Sequence, residues 1–305
     1  MVTKISKKLA SLTYSRESFR ESALKKFKEK VWFALFGAVG ASAVLIVLFL
    51  LTIIFINGFE VISLEFLIER PLQQMTEGGI FPAILGTFYL SVLTLLFSLP
   101  IGISAAIYLH EWAGKGWFVR LIRLSIRNLA GIPSIVYGLF GLALFASGMG
   151  FGSSLLSASL TLSLMTLPIV ITSSEEALKG VPNNFRQAAL SLGATRWETI
   201  KLQVLPYALP GMATGSILGL ARAAGETAPI ILTGAAYYLP YLPESVFDRF
   251  MALPYHLYIL ATQHSDISTV RPIAFGTALV LILIVLTVNS VAILIRVKIR
   301  KNKIW

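Results

Sequence analysis

Long, nearly uncharged apolar runs dominate this chain and limit what it can fold into. A helix needs about 20 mostly apolar residues to cross a hydrocarbon layer. Six stretches meet that length: 31–56, 81–109, 124–146, 155–173, 207–232 and 273–295. Inside a bilayer the backbone must satisfy its own hydrogen bonds, so such runs become helices. The composition agrees, with 56% hydrophobic and 13% charged residues among 305. A soluble domain carries about 25% charged residues. The expected fold class is therefore all-α integral membrane, with six transmembrane helices. There is no cysteine, which excludes disulfides, thiolate metal sites and cysteine nucleophiles. The first 30 residues are too charged for a secretory leader and the first apolar run is too long for one, so that run is expected to span. The net charge of +11 does not imply nucleic acid, because the basic residues lie between apolar runs and not on one folded face.

Orientation follows from where Lys and Arg fall. With the N-terminus in the cytoplasm, the inside segments hold nine basic residues before Val31, four in 115–127, four in 179–201 and five from Arg296 on. The outside segments hold only Arg70, Arg249 and Arg271. Both termini are expected in the cytoplasm of a multi-pass inner-membrane protein. Residues 1–30 are expected as a basic amphipathic segment. Glu21 and Lys25 stand four apart, and Leu24 and Phe27 share one side. Two readings stand, a helix lying on the anionic leaflet and a plain solvated helix. Residues 297–305 form a basic tail.

Pro100, Pro133, Pro168 and Pro210 fall inside or at the ends of spans, where each removes a backbone donor and favours a kink. Ser159, Ser163 and Thr166 recur at helical spacing in the fourth span. They suit either a polar path or hydrogen-bonding glue between helices.

The stretch 175–206 carries the most specific signal. Pro182, Asn183 and Asn184 suit a helix start, with either asparagine as cap. A short amphipathic helix follows over 185–192. Gly193 can end it in a left-handed conformation. Thr195 then caps a second helix, with Glu198 three residues on. Ala188 and Ala189 give the first helix a small-residue face for close approach. This pattern resembles the EAA loop of ABC importer permeases, the binding-protein-dependent transport permease family. That family shows Glu-Ala-Ala, three residues, Gly, and Leu-Pro at a fixed distance. Here Gln187, Ala188, Ala189, Gly193, Leu205 and Pro206 stand at the matching places, with Gln187 replacing the usual Glu and Gln203 a usual apolar residue. The resemblance implies a MetI-like permease core over 77–296, made by spans two to six with an extra N-terminal span. It also implies docking of the loop on a separate ATPase through Gln187, Ala188, Ala189, Gly193, Ala194, Arg196 and Trp197. No Gly-x-x-x-x-Gly-Lys-Ser/Thr pattern occurs in the chain, so a non-catalytic subunit is expected, with ATP and Mg used by the partner ATPase and no cofactor bound by this chain.

The fifth span contains Arg222, four residues before Glu226. An Arg at mid-membrane costs about 2.5–3.5 kcal/mol on insertion scales. On one helix face the two residues form a self-compensated pair, or Glu226 holds an Arg that meets an oxyanion through its planar fork. The sequence Arg222-Ala-Ala-Gly-Glu226-Thr227-Ala-Pro, the opening Glu77-Gly-Gly-Ile-Phe-Pro82 of the second span and the Ile101-Gly-Ile-Ser-Ala-Ala-Ile-Tyr stretch at its end resemble the PstA family of phosphate permease subunits. The resemblance runs from about Glu77 to Ile295. It implies a substrate pathway through Arg222, Glu226 and Thr227. It further implies a PstC-like second permease subunit, two PstB-like ATPase subunits, a PstS-like external phosphate-binding protein, phosphate as cargo, and lipid around the spans. Permeases for sulfate, molybdate or phosphonate, and a free-standing channel or carrier, are the alternatives.

His110, His256 and His264 lack the spacing of a helical metal pair and are expected at the surface. Tyr237, Tyr238, Tyr241, Tyr255 and Tyr258 fit an interfacial aromatic belt or a surface that meets the binding protein. The outside segments hold seven acidic residues against three basic ones, a poor trap for free phosphate and better suited to delivery by a carrier protein.

Overall fold

The computed structural model describes residues 2–114, 116–239 and 241–301. Two compact units are present, Met1–Ile56 and Asn57–Trp305. The first is a single element, because helix α1 runs unbroken over Val2–Phe59. No Gly or Pro precedes Gly37, so nothing breaks the helix between the basic segment and the apolar span. Phe33, Phe36, Val39 and Leu45 are exposed, as suits side chains in lipid. The amphipathic side-chain face expected from Glu21, Leu24 and Phe27, and the end of the basic tail, 302–305, lie outside the described residues.

The second unit opens with α2 (Leu64–Ile68), capped by the Ser63 side chain, which accepts from the Phe66 N–H at 3.0 Å. A two-residue hairpin follows, β1 (Pro71–Leu72) antiparallel to β2 (Glu77–Gly78), with Pro71 opposite Gly78. Its turn holds Gln73, Gln74 and Met75 at φ of 42°, 57° and 75°, a region that non-glycine residues rarely occupy. Two contacts hold it there. Met75 is buried beside Ile259, Leu260 and Val270. His264 Nδ1 accepts from the Asp266 N–H at 3.1 Å, so Nε2 carries the proton and donates to the Gln74 carbonyl at 2.9 Å.

Helix α6 (Leu155–Lys179) is the centre of the bundle, packed against α3 (Phe81–Ile107) and α9 (Leu205–Gly225), which also touch each other. Small residues allow the close crossing. A Cβ added at Gly215 of α9 would overlap the Ser173 side chain of α6, and one at Gly102 of α3 would overlap the Val170 side chain of α6. In α6 the Ser163 hydroxyl donates to the Thr94 carbonyl of α3 at 3.0 Å. Ser159 and Thr166 bond within their own helix, to Leu155 and Ser163, and all three are buried. Ser163 shares its proton with the Ser159 carbonyl of its own helix at 2.6 Å, so of the three hydroxyls it alone also reaches a neighbouring helix. The end of α10 and the segment after it close the N-terminal end of α6. Its orphan donors Ser154, Leu155 and Leu156 bond to the carbonyls of Thr233, Asp248 and Val246 at 2.8–3.0 Å, which satisfies groups that the helix itself leaves free.

Two expected spans are interrupted. The third stretch divides into α4 (Trp117–Leu129) and α5 (Ser134–Gly141), the latter continued by a π-type segment Leu142–Gly148; the two parts meet at 106°. Pro133 lacks a donor and disfavours helical geometry at Ile132, so the chain turns there. Val119, Ile122 and Ile126 of α4 pack inward, while Trp117, Phe118, Leu121 and Leu124 stay exposed. Among the described residues five helices are long and apolar enough to cross a membrane, and the spans number six when the bent pair counts as one. The fifth stretch breaks after Gly225 and resumes as α10 (Ala228–Thr233). Glu226 is extended there, at φ −77° and ψ 132°, and Pro229 is restricted to the first turn of the new helix. The fold ends with α11 (Leu253–Thr262) and α12 (Ile267–Lys301).

The surface expectation for the histidines fails at two positions. His256 and His264 are only 2% and 6% exposed. His256 falls on the inner face of α11 with Leu253, Ile259 and Leu260. Among the described residues neither of its ring nitrogens has a hydrogen-bond partner, and burial pushes its pKa down to about 4. It therefore packs as a neutral ring.

Candidate functional site: the helix-turn-helix loop and the broken fifth span

The stretch expected to face the cytoplasm forms α7 (Asn183–Ser191), a turn, and α8 (Arg196–Thr199). The N-cap of α7 is Pro182 and not an asparagine, with no side-chain cap. Pro182 already supplies extended geometry at ψ 138°, which leaves both asparagines inside the first turn. Gly193 sits at φ +85°, in open space on the side where another residue would carry its β-carbon. Thr195 and Glu198 form a capping box. The Thr195 hydroxyl accepts from the Glu198 N–H at 3.3 Å, and the Glu198 carboxylate accepts from the Thr195 N–H at 2.8 Å. Helix α8 then continues through a π-type segment, Ile200–Val204, into α9. A displacement of the loop thus reaches the fifth span along continuous helix.

The seven residues assigned to coupling divide into two groups. Gln187, Ala188 and Gly193 are exposed, and Ala189 and Ala194 are half-buried. Beside them Leu192 is 89% exposed, an apolar side chain at the loop's tip that sequence reasoning passed over. Arg196 and Trp197 are exposed as well, Trp197 by 55%, but both reach the turn that ends the chain's own α3. The Arg196 guanidinium stands 4.9 Å over the Trp112 ring and donates to the Glu111 carbonyl. Trp197 lines a cavity of about 310 Å³ with Ser104, Ile107, Tyr108 and Trp112.

Beneath the loop lies a polar network that the sequence reading did not assemble. Glu111, in the π-type turn Tyr108–Trp112 that ends α3, pairs with Arg186 of α7 at 2.7 Å. Arg186 also donates to the carbonyls of Val181 at 2.8 Å and Leu178 at 3.1 Å. Arg123 of α4 donates to the Leu109 carbonyl at 2.6 Å and pairs with Glu175 of α6 at 3.3 Å. One signal was available: Glu111 is the only acidic residue between the second span and Glu175.

In the fifth span Arg222 Nε donates to Glu226 Oε1 at 3.2 Å. The pair is therefore made, although Glu226 lies beyond the helix end and the two do not share one helix face. The Arg222 side chain is 46% exposed and that of Glu226 18%. Arg222 thus faces out of this subunit's packed core. Thr227 is the N-cap of α10. The broken segment is supported from behind by α5, where Gly138 lets the backbone of Ala228 and Pro229 approach closely. Among the described residues no group of three or more His, Asp or Glu side chains is placed to hold a metal ion.

A helical bundle in which a short helix-turn-helix feeds one broken, charge-bearing span defines a class, the membrane-spanning subunit of a transporter. The chain matches the family model of the binding-protein-dependent transport system inner membrane component over residues 98–302, and it belongs to that family. It is 31% identical to the probable ABC transporter permease protein YqgI of Bacillus subtilis over 280 residues, covering 88% of this chain and 95% of that one. It is 37% identical to the phosphate transport system permease protein PstA 1 of Mycobacterium tuberculosis over 227 residues, covering 74% and 73%. Among solved structures, an alginate ABC transporter in complex with its pentasaccharide-bound periplasmic protein aligns with a TM-score of 0.62 at 18% identity, covering 85% and 92%. The MetNI methionine ABC transporter aligns at 0.58 and 16%, covering 72% and 97%. These two share the fold.

Proposed function

We propose that this chain is one of the two membrane-spanning subunits of an ATP-driven phosphate importer. The observation that carries the reading is Arg222. It is a half-exposed guanidinium in the last turn of α9, tethered to Glu226 at the break within the fifth span. Facing lipid it would cost several kcal/mol. Facing a wet pathway shared with a second permease subunit, it can offer two charge-assisted bonds to a tetrahedral oxyanion. The phosphate-permease names of its relatives support phosphate as that oxyanion.

In this reading the partners are a PstC-like permease, two PstB-like ATPases that bind ATP and Mg, and a PstS-like phosphate-binding protein. The binding protein delivers phosphate to the acidic outer face. The ATPases meet the exposed face of α7 and the Leu192 tip. Both termini lie in the cytoplasm, as the Lys and Arg distribution supports. ATP binding moves the loop, α8 carries the motion into α9, and the break at Glu226–Thr227 lets Arg222 face outside and inside in turn. This chain supplies the path and no hydrolysis. The reconstituted complex tests the substrate. Labelled phosphate uptake should resist excess sulfate, molybdate and phosphonate, and equal competition by sulfate would move the assignment to another oxyanion.

A further inference from the structure

The C-terminal turn of α3 receives three arginines from three different elements. Arg186 reaches the Glu111 carboxylate from α7, Arg196 reaches the Glu111 carbonyl from α8, and Arg123 reaches the Leu109 carbonyl from α4. A helix C-terminus carries unpaired carbonyls and partial negative charge, and here the π-type turn Tyr108–Trp112 opens them further. The central carboxylate is largely desolvated, with the Glu111 side chain 9% exposed and that of Arg186 16%. Such a pair is costly to break from one side, so the joint is stiff.

We infer that Glu111 is a positioning residue that locks α3 to the coupling loop, so that a displacement of α7 enters the bundle through α3 as well as through α9. The loop's only covalent routes into the bundle are α6 and α9. The Glu111 clamp adds a third, to the helix that packs against both α6 and α9. This keeps α3 and α9 moving together about α6. The inference rests on the importer reading, because it needs an ATPase to push α7.

The test uses the complete complex with partner subunits cleared of cysteine. Spin labels go on cysteines at Ile101 of α3, 56% exposed, and Asn184 of α7, also exposed. Their distance distribution is measured without nucleotide and with Mg·ATP. In the otherwise unaltered protein the distribution should stay the same while the ATPases close. In Glu111→Gln it should shift on Mg·ATP, because α7 then moves without α3, and phosphate uptake per ATP hydrolysed should fall several-fold with basal hydrolysis kept. Arg186→Lys, which keeps a charge facing Glu111, should give a smaller shift of the same sign. A nucleotide-dependent shift in the unaltered protein would show a hinge and overturn the inference. So would an unshifted Glu111→Gln distance with normal coupling. An assembled complex that binds no ATP would sink the importer reading and this inference with it, whereas the two former results sink the inference alone.

Discussion

Replacing Gly193 by valine isolates one physical effect. Gly193 is at φ +85°, and a β-carbon there would meet nothing within 4 Å. Packing within this chain therefore contributes nothing to the cost, and the backbone conformation supplies all of it. A left-handed residue costs an L-amino acid roughly 1–2 kcal/mol, with asparagine the tolerated exception and β-branched residues the worst case. Each 1.4 kcal/mol is a factor of about ten in an equilibrium. Gly193→Val should thus weaken ATPase binding by roughly 5- to 30-fold, through misdirecting α8 and the Leu192 tip. Gly193→Asn should stay within about threefold of the parent on the same ground. The assay is titration of detergent-solubilised permease with the isolated ATPase subunit. If Asn were as harmful as Val, the requirement would be for space at the docked face and not for positive φ. If Val bound as tightly as Gly, the turn would not direct docking at all.

Three further outcomes are expected. Gly215→Ala should lower the thermal midpoint in detergent by an amount matching roughly 1–3 kcal/mol of overpacking, because its Cβ overlaps Ser173. Gly219→Ala, whose nearest neighbour would be Val170 at 3.6 Å, should be neutral or stabilising; equal losses at both sites would refute the close-crossing account. His256, with its folded pKa near 4 against about 6.5 unfolded, adds no pH dependence above that unfolded value. Its contribution falls as pH drops from about 6.5 towards 4, by ~3 kcal/mol in all. His256→Phe should flatten the stability profile across that window, and an unchanged profile would contradict the buried neutral ring. Finally, since the chain has no native cysteine, a cysteine at Ser245 should react with an impermeant thiol reagent outside intact cells and one at Asn183 only after permeabilisation, with the opposite pattern reversing the topology.

What the sequence made legible was local. The apolar runs located the spans because hydropathy is a property of contiguous residues. Gly193 and the Thr195–Glu198 box were readable because each is decided within three residues. The bend at Pro133 and the break after Gly225 were only half legible. Proline marks a weak point, but the geometry of a 106° turn depends on what α4 packs against. The network under the loop was not legible. Glu111 and Arg186 stand 75 residues apart, and only the folded bundle brings them together. His256 and His264 misled for the same reason. Nothing nearby in sequence announces that α11 turns His256 inward, or that the β1–β2 turn needs a donor from His264.

Uptake of labelled phosphate by Arg222 variants, in vesicles holding the complete transporter and normalised to assembled complex, tests the central claim most directly. Arg222→Lys keeps the charge and loses the planar fork, and uptake should fall strongly. Arg222→Gln with Glu226→Gln leaves no charge unpaired, so a purely structural pair should survive its removal. The account predicts that this double variant assembles and hydrolyses ATP but imports no phosphate. Near-normal uptake by the double variant would contradict it and leave Arg222 and Glu226 as a pair that only holds the broken span in place.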